Sequence, residues 1–311
     1  MNMPNSMKPR VALIAGPTAS GKSALAIELA RRIGGTIINA DSAQVYADLR
    51  ILTARPSPEE EAQAPHRLFG HVAGNEEYSA ARWAQEARAE IEAAAARNSL
   101  PILVGGTGMY IRTLLDGIAP VPQIDPQVRA SVRALPVADA HIRLRELDPE
   151  AARRLHPADT TRVARALEVV VATGRALSDW QGDRVGGIGG AIALHPLILL
   201  PDRAWLAARC DRRLVAMFDS GAVKEVRALI ARTDITASAP VRRAIGVAEI
   251  AAMEAGEISR ETALERTQAA TRQYAKRQYT WLRHQMPGEW PRRDETEISK
   301  QISSFASLLH K

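Results

Sequence analysis

Three observations predict an α/β chain: a P-loop parallel sheet core flanked by helices, with an inserted all-helical domain. Short apolar runs alternate with helical patterns through the first third of the 311 residues. The first of these runs leads straight into a glycine-rich loop. Between residues 120 and 195 the strand-like runs vanish. Strands that alternate with helices favour a parallel sheet covered on both faces.

The elements follow in order. Arg10-Val-Ala-Leu-Ile-Ala15 reads as a strand, and a helical pattern runs from Lys22 to Arg32. A second β-rich run, Thr36-Ile-Ile-Asn-Ala40, ends at Asp41. Residues 42–79 read as loop, punctuated by Pro56, Pro58, Pro65 and several glycines. A helix rich in Ala, Glu and Arg is expected from Ser79 to Arg97, then a third strand, Pro101-Ile-Leu-Val104, and a turn at Gly105-Gly106. Residues 120–195 carry several short helical patterns dense in arginine. The run Leu194 to Leu200 returns to the sheet, and Asp202 to Gln285 is helical with a break near Asp234 to Pro240. Residues 286–311 show no pattern beyond a short terminal helix. The expected division is a core of residues 8–119 and 196–285, a helical insertion at 120–195, and a tail at 286–311.

Composition narrows the class. With 46% hydrophobic and 24% charged residues, the chain can build an ordinary globular core. A formal charge of +6 and a pI near 9.7 suit a polyanionic partner, although many basic proteins bind no nucleic acid. Only six of the 41 basic residues are lysine, a bias that a genomic coding preference explains as well as phosphate chemistry does. Cys210 is the only cysteine, which excludes an intrachain disulfide and a cysteine-rich zinc site. Met1 to Arg10 lack the long apolar stretch of a secretory signal, and Val11 to Ala15 is too short to span a bilayer. A soluble cytoplasmic protein, with no membrane association, is the expectation.

The strongest local signal is Gly16-Pro17-Thr18-Ala19-Ser20-Gly21-Lys22-Ser23, a complete G-x-x-x-x-G-K-[ST] lying between a strand and a helix. Glycines let backbone N–H groups converge on phosphate oxygens, and the helix N-terminus adds the positive end of its dipole. Lys22 places a charge on terminal phosphates, and the Ser23 hydroxyl is the expected Mg²⁺ ligand. The loop fixes a phosphate site but not the reaction. Asp41, at the C-terminal end of the second strand, is placed to be a metal ligand, a general base or a helix cap. Asp202 reads as an N-cap. His66, His71 and His141 lack ligand spacing, and Tyr78 and Trp83 read as packing residues.

Further segments carry a resemblance. Asp41-Ser-Ala-Gln-Val-Tyr46, Ala64-Pro-His-Arg-Leu68, Gly105-Gly-Thr-Gly-Met-Tyr110, Arg162-Val-Ala-Arg-Ala-Leu-Glu168, Ala244-Ile-Gly246 and Thr271-Arg-Gln-Tyr-Ala-Lys-Arg-Gln-Tyr-Thr-Trp281 occur in this order. With the P-loop, they make residues 10–285 resemble the bacterial tRNA dimethylallyltransferases. The resemblance implies that the loop holds dimethylallyl diphosphate with Mg²⁺, and that the acceptor is the N6 amine of adenosine 37 in the tRNA anticodon stem-loop. It implies catalytic roles for Asp41 as base, Thr107, and Arg213 on the leaving group. It implies tRNA contacts at Asp41, Ser42, Ala43, Gln44 and Thr107. Within the insertion, read as a tRNA-binding domain, they fall on Arg129, Thr161, Arg162 and Arg165. Arg243, Lys276, Arg277 and Arg283 complete the set. A monomer is expected. Two segments depart from the family: Leu52-Thr53-Ala54-Arg55-Pro56 replaces its usual Gly-Thr-Ala-Lys-Pro, and Val247 replaces a tyrosine. A small-molecule or nucleoside kinase with an Arg-rich lid, prenyl transfer to free AMP or ATP, and a nucleotide-switched RNA-binding protein are the alternative readings.

Overall fold

In the computed structural model, which describes residues 8–309, the chain opens with β1 (Arg10–Ala15) and α1 (Lys22–Ile33). It continues through β2 (Gly35–Asn39), a turn of helix α2 (Pro58–Glu61), β3 (His66–Arg67), α3 (Ala80–Ala96), β4 (Leu100–Gly105) and α4 (Gly108–Asp116). Five helices follow: α5 (Pro126–Arg133), α6 (Val137–Leu147), α7 (Pro149–Arg154), α8 (Thr160–Thr173) and α9 (Leu177–Gly182). The sheet resumes with β5 (Ala193–Leu199). Then come α10 (Arg203–Ser220), α11 (Ala222–Ala231), a 3-10 turn (Pro240–Arg243), α12 (Val247–Glu254), α13 (Arg260–His284), β6 (Arg292–Arg293) and α14 (Ile298–Leu309).

The six strands form one parallel sheet in the order β3-β2-β4-β1-β5-β6. Every residue of β2 is buried, as expected of a strand covered on both faces. β1 lies between β4 and β5, with Ala15 level with Gly105 and Ile198, so the phosphate loop and the Gly105-Gly106 turn leave the sheet side by side. The C-terminal edge of such a sheet is where ligands of open α/β folds bind. Its core joins Ile14, Leu25, Leu29, Ile102 and Leu199, with Phe305 fully buried among them.

The chain divides into two compact units. One holds the residues up to Leu114 and those from Gly189 onward; the other is Leu115–Ile188. The second unit is all helical apart from an isolated antiparallel bridge between Ile118 and Val185, and it has its own core around Val132, Leu144, Val163 and Leu167. Its bounds are wider at the start and earlier at the end than the expected 120–195, because β5 already begins at Ala193. The expected tail is different in kind. Arg292 and Arg293 pair with Ile198 and Leu199 as the edge strand of the sheet, and Ile302 and Phe305 of α14 belong to the main core. No helix among the described residues is long and apolar enough to cross a membrane.

Candidate active site

The phosphate loop is held open by backbone conformation. Ala19 and Gly21 take positive φ of 64° and 95°, and a Cβ on Gly16 would lie 2.5 Å from Ser20 Oγ. Gly16 N–H donates to Gly105 O, which ties the loop to the end of β4. Gln278 of α13 adds a second tie: its Oε1 accepts from Thr18 N–H at 2.8 Å, and its Nε2 donates to Gly106 O at 3.1 Å. Both glycine-bearing turns are therefore gripped by one buried amide from the far end of the chain.

Lys22 lies buried at the start of α1 and donates to Pro17 O at 3.2 Å. Burial pushes its pKa down from 10.5 to about 8; nearby Arg213 adds to the fall and Asp41 opposes it. Arg213 projects from α10 and donates to the Thr18 hydroxyl, while its buried Nε has no hydrogen-bond partner among the described residues. Burial also lowers the pKa of Arg213. Ser20 Oγ is a second buried polar atom without a partner among the described residues. Unspent donors at a glycine-rich loop beside two cations suit an anion that arrives from solution.

Asp41 closes β2 and is 7% exposed. No helix follows it. Its Oδ1 accepts from Ala43 N–H at 3.0 Å in a local turn, so the helix-cap alternative does not hold. The turn is clamped by fully buried Asn39, whose Oδ1 accepts from Asp41 N–H and whose amide donates to Asp41 O and Leu68 O. Trp83 in turn donates to Asn39 O at 2.7 Å. Thr107 supports the same turn: its hydroxyl accepts from Ser42 N–H at 3.0 Å and bonds Tyr274.

A cavity of about 420 Å³ opens beside these groups. Thr18, Asp41, Ser42 and Arg213 give it polar lining, and Leu49, Leu52, Leu214, Met217 and Val241 give it apolar lining, with Ala43 also on its wall. Four of the five tyrosines, Tyr46, Tyr78, Tyr110 and Tyr274, also line it. Tyr78 is thus a wall residue, against its expected packing role, and donates to Glu86 at 2.5 Å. Burial, reinforced by Asp41, raises the pKa of Tyr274 and keeps its hydroxyl protonated. Arg243 and Arg277 reach the same cavity.

Residues 44–285 match the family model described as IPP transferase. The chain belongs to that family. It is similar to the tRNA dimethylallyltransferase of Sphingopyxis alaskensis, with 63% identity over 96% of this chain and 98% of the relative. The protein of the same name from Zymomonas mobilis is 51% identical over 96% of each chain. Among solved structures, the tRNA delta(2)-isopentenylpyrophosphate transferase of Staphylococcus epidermidis superposes with a TM-score of 0.70 at 30% identity, covering 97% of this chain and 99% of that one. A eukaryotic dimethylallyltransferase acting on tRNA gives a TM-score of 0.76 at 31% identity, over 88% of this chain and 70% of that one.

Within this member of the family, the remaining expected site residues divide sharply. Gln44 does not line the cavity; its amide donates to Thr53 O and Ala54 O and holds the loop below the site. Lys276 lies in a separate cleft with Arg203, Arg272 and Tyr279, and Arg283 is exposed near the end of α13. In the helical unit, Arg129 carries a buried Nε without a partner among the described residues, and Thr161 is exposed. Arg162 is paired with Asp159 at 2.9 Å, and Arg165 lies 3.8 Å from buried Glu168. Asp202 caps α10 through Trp205 N–H, as its position suggested. The departure at Arg55 is structural: its guanidinium donates to Tyr46 O and packs on Gly70. Val247 is buried at the start of α12.

Proposed function

We propose that this protein transfers the dimethylallyl group from dimethylallyl diphosphate to the N6 amine of adenosine 37 in the tRNA anticodon stem-loop. The carrying observation is that a buried carboxylate, Asp41, and a half-buried arginine, Arg213, face one cavity beside a P-loop. The amine lone pair attacks C1 of the allyl group. The C1–O bond breaks, and its electron pair leaves with diphosphate. The displaced N6 proton passes to Asp41, which must be ionised to take it. Lys22, Arg213 and the loop N–H groups stabilise charge on the leaving diphosphate, and fixed donors in a dry site do this without reorganising. Thr107, which supports the Ser42 turn and bonds Tyr274, is assigned to the same leaving group.

A magnesium ion fits this site only as a partner carried by the diphosphate. No group of three His, Cys, Asp or Glu residues among the described residues could hold a metal alone. One hydroxyl, Ser23, together with phosphate oxygens and water, matches the way Mg²⁺ prefers to bind. When bound, it supplies charge neutralisation on the diphosphate.

The reaction needs an unstacked base, since a stacked N6 amine cannot reach Asp41. The tyrosine-lined wall with Arg243 and Arg277 is suited to receive one. Arg129, Thr161, Arg162 and Arg165 of the helical unit are assigned to the tRNA backbone, in a monomeric cytoplasmic enzyme. The test is incubation with Mg²⁺, unmodified tRNA and either labelled dimethylallyl diphosphate or labelled ATP, followed by nucleoside analysis. Prenyl label on N6 of adenosine supports the proposal, and Asp41→Asn should then lose transfer while retaining tRNA binding. ATP consumption without prenyl transfer would refute it.

A further inference from the structure

One helix connects the polar wall of the cavity to its apolar end. Arg213 and Met217 stand four residues apart on α10 and so share a face, with a rise of about 6 Å between them. Both line the cavity, as does Leu214. The Arg213 end is tied to the phosphate loop through Thr18. The Met217 end meets the loop that carries Leu49 and Leu52. A Cβ on Gly221, just past the end of α10, would lie 3.1 Å from Ile51 Cδ1, which puts this loop against the C-terminal end of the helix. Leu49, Leu52 and Met217 are all buried.

The loop is fixed as well as near. The Glu225 carboxylate accepts backbone N–H groups from Arg50, Ile51 and Leu52 at 2.8 to 3.1 Å. On the other side, a Cβ at Gly246 would lie 3.0 Å from Leu52 Cδ1. Leu52 is therefore held by its backbone to α11 and by its side chain against the start of α12, and it is buried.

We propose that Met217 and Leu52 form an end wall that restricts the prenyl donor to a five-carbon chain, with α10 setting the distance from the diphosphate to that wall. The inference rests on the proposed function, because a diphosphate at Thr18 and Arg213 fixes where the chain begins. A dimethylallyl chain extends from its C1 by about the rise of one helical turn, roughly 5 Å. The second isoprene unit of a ten-carbon donor would run into Met217 and Leu52. Truncation of either side chain to alanine removes three heavy atoms, and the second isoprene unit adds five, so both truncations are needed to admit it fully.

The experiment compares dimethylallyl diphosphate with geranyl diphosphate as donors to unmodified tRNA, in the wild type, Met217→Ala, Met217→Phe and the double variant Met217→Ala/Leu52→Ala. The wild type should discriminate against geranyl transfer by at least about 100-fold in kcat/KM, because each excess methylene against a filled apolar wall costs about 10-fold or more. The double variant should move the geranyl-to-dimethylallyl ratio upward by at least about 100-fold, and Met217→Ala alone by about 10-fold. Met217→Phe should lower dimethylallyl transfer while tRNA affinity stays the same. If the double variant does not fold, the two single variants bracket the wall from both sides and decide the matter. A wild type that uses both donors equally, or variants whose donor ratio does not move, would overturn the end wall and leave the transferase reading intact. A wild type that transfers neither prenyl group to tRNA would overturn both.

Discussion

Replacing Glu225 with alanine tests whether the apolar end of the cavity is held from a distance. The carboxylate takes three backbone N–H groups, with Ile51 reaching both oxygens at 2.8 and 2.9 Å, Arg50 at 3.0 Å and Leu52 at 3.1 Å. Charge-assisted bonds of this kind are worth about 1.5–3 kcal/mol each when deleted from a buried setting. Glu225 is half-buried, and water can replace part of what is lost, so the net cost of Glu225→Ala is about 2–3 kcal/mol. At the size of the sheet-bearing unit this lowers Tm by roughly 5–8 °C. Glu225→Gln keeps one acceptor oxygen and should lose about half as much. The loosened loop carries Leu49 and Leu52, so KM for the prenyl donor should rise by about tenfold in the alanine variant while kcat changes by less than about threefold. Thermal unfolding by circular dichroism and steady-state transfer assays read the two effects separately. A variant that melts as predicted but keeps a wild-type donor KM would show that the loop does not shape the donor site.

Three further outcomes follow from other parts of the molecule. The folded pKa of Lys22, about 8, lies below its ordinary 10.5, so the lysine disfavours the unliganded fold below pH 8, and that cost is relieved as the pH rises from 8 to 10.5. A bound diphosphate reverses the preference: donor binding should take up a proton above pH 8, with affinity falling about tenfold from pH 8 to pH 9.3, and calorimetry in buffers of different ionisation enthalpy detects the uptake. Glu168, 1% exposed and bonded to Arg133 at 2.7 Å, anchors the helical unit, so Glu168→Gln should cost about 1–2 kcal/mol in urea unfolding. A more stable variant would mean that desolvation of the carboxylate outweighs its two arginines. Gly105→Ala should cost more than about 3 kcal/mol, since the new Cβ would lie 2.0 Å from Ala40 O; a soluble variant with an unchanged Tm would contradict the packing of these strand ends.

What could be read from the sequence was what is encoded locally. The phosphate loop, β1, β2, β4 and α3 carry their signals within a few neighbours, through apolar runs, glycines and a stretch rich in Ala, Glu and Arg. The role of Gln278 is not legible along the chain because its partners, Thr18 and Gly106, lie 260 and 172 residues away. The Glu225 carboxylate is the same kind of case: on its own helix it looks like an ordinary first-turn acid. The edge strand at Arg292 and Arg293 is two residues long and basic, so it offers no alternation to read. The ion pairs of the helical unit are likewise invisible along the chain. Helix caps and buried acids in the same unit already claim Arg162, Arg165 and Arg133.

The helical unit begins and ends at almost the same point. Ile118 and Val185 pair as a bridge, and a Cβ on Gly187 would sit 2.6 Å from the carbonyl atoms of Leu115 and Asp116. With its own apolar core, a segment that leaves and returns through one doorway is a detachable cassette. In chain order it is inserted between α4 and β5. Such a cassette can lengthen, shorten or be exchanged over evolutionary time while the sheet order and the chemistry at its edge stay as they are.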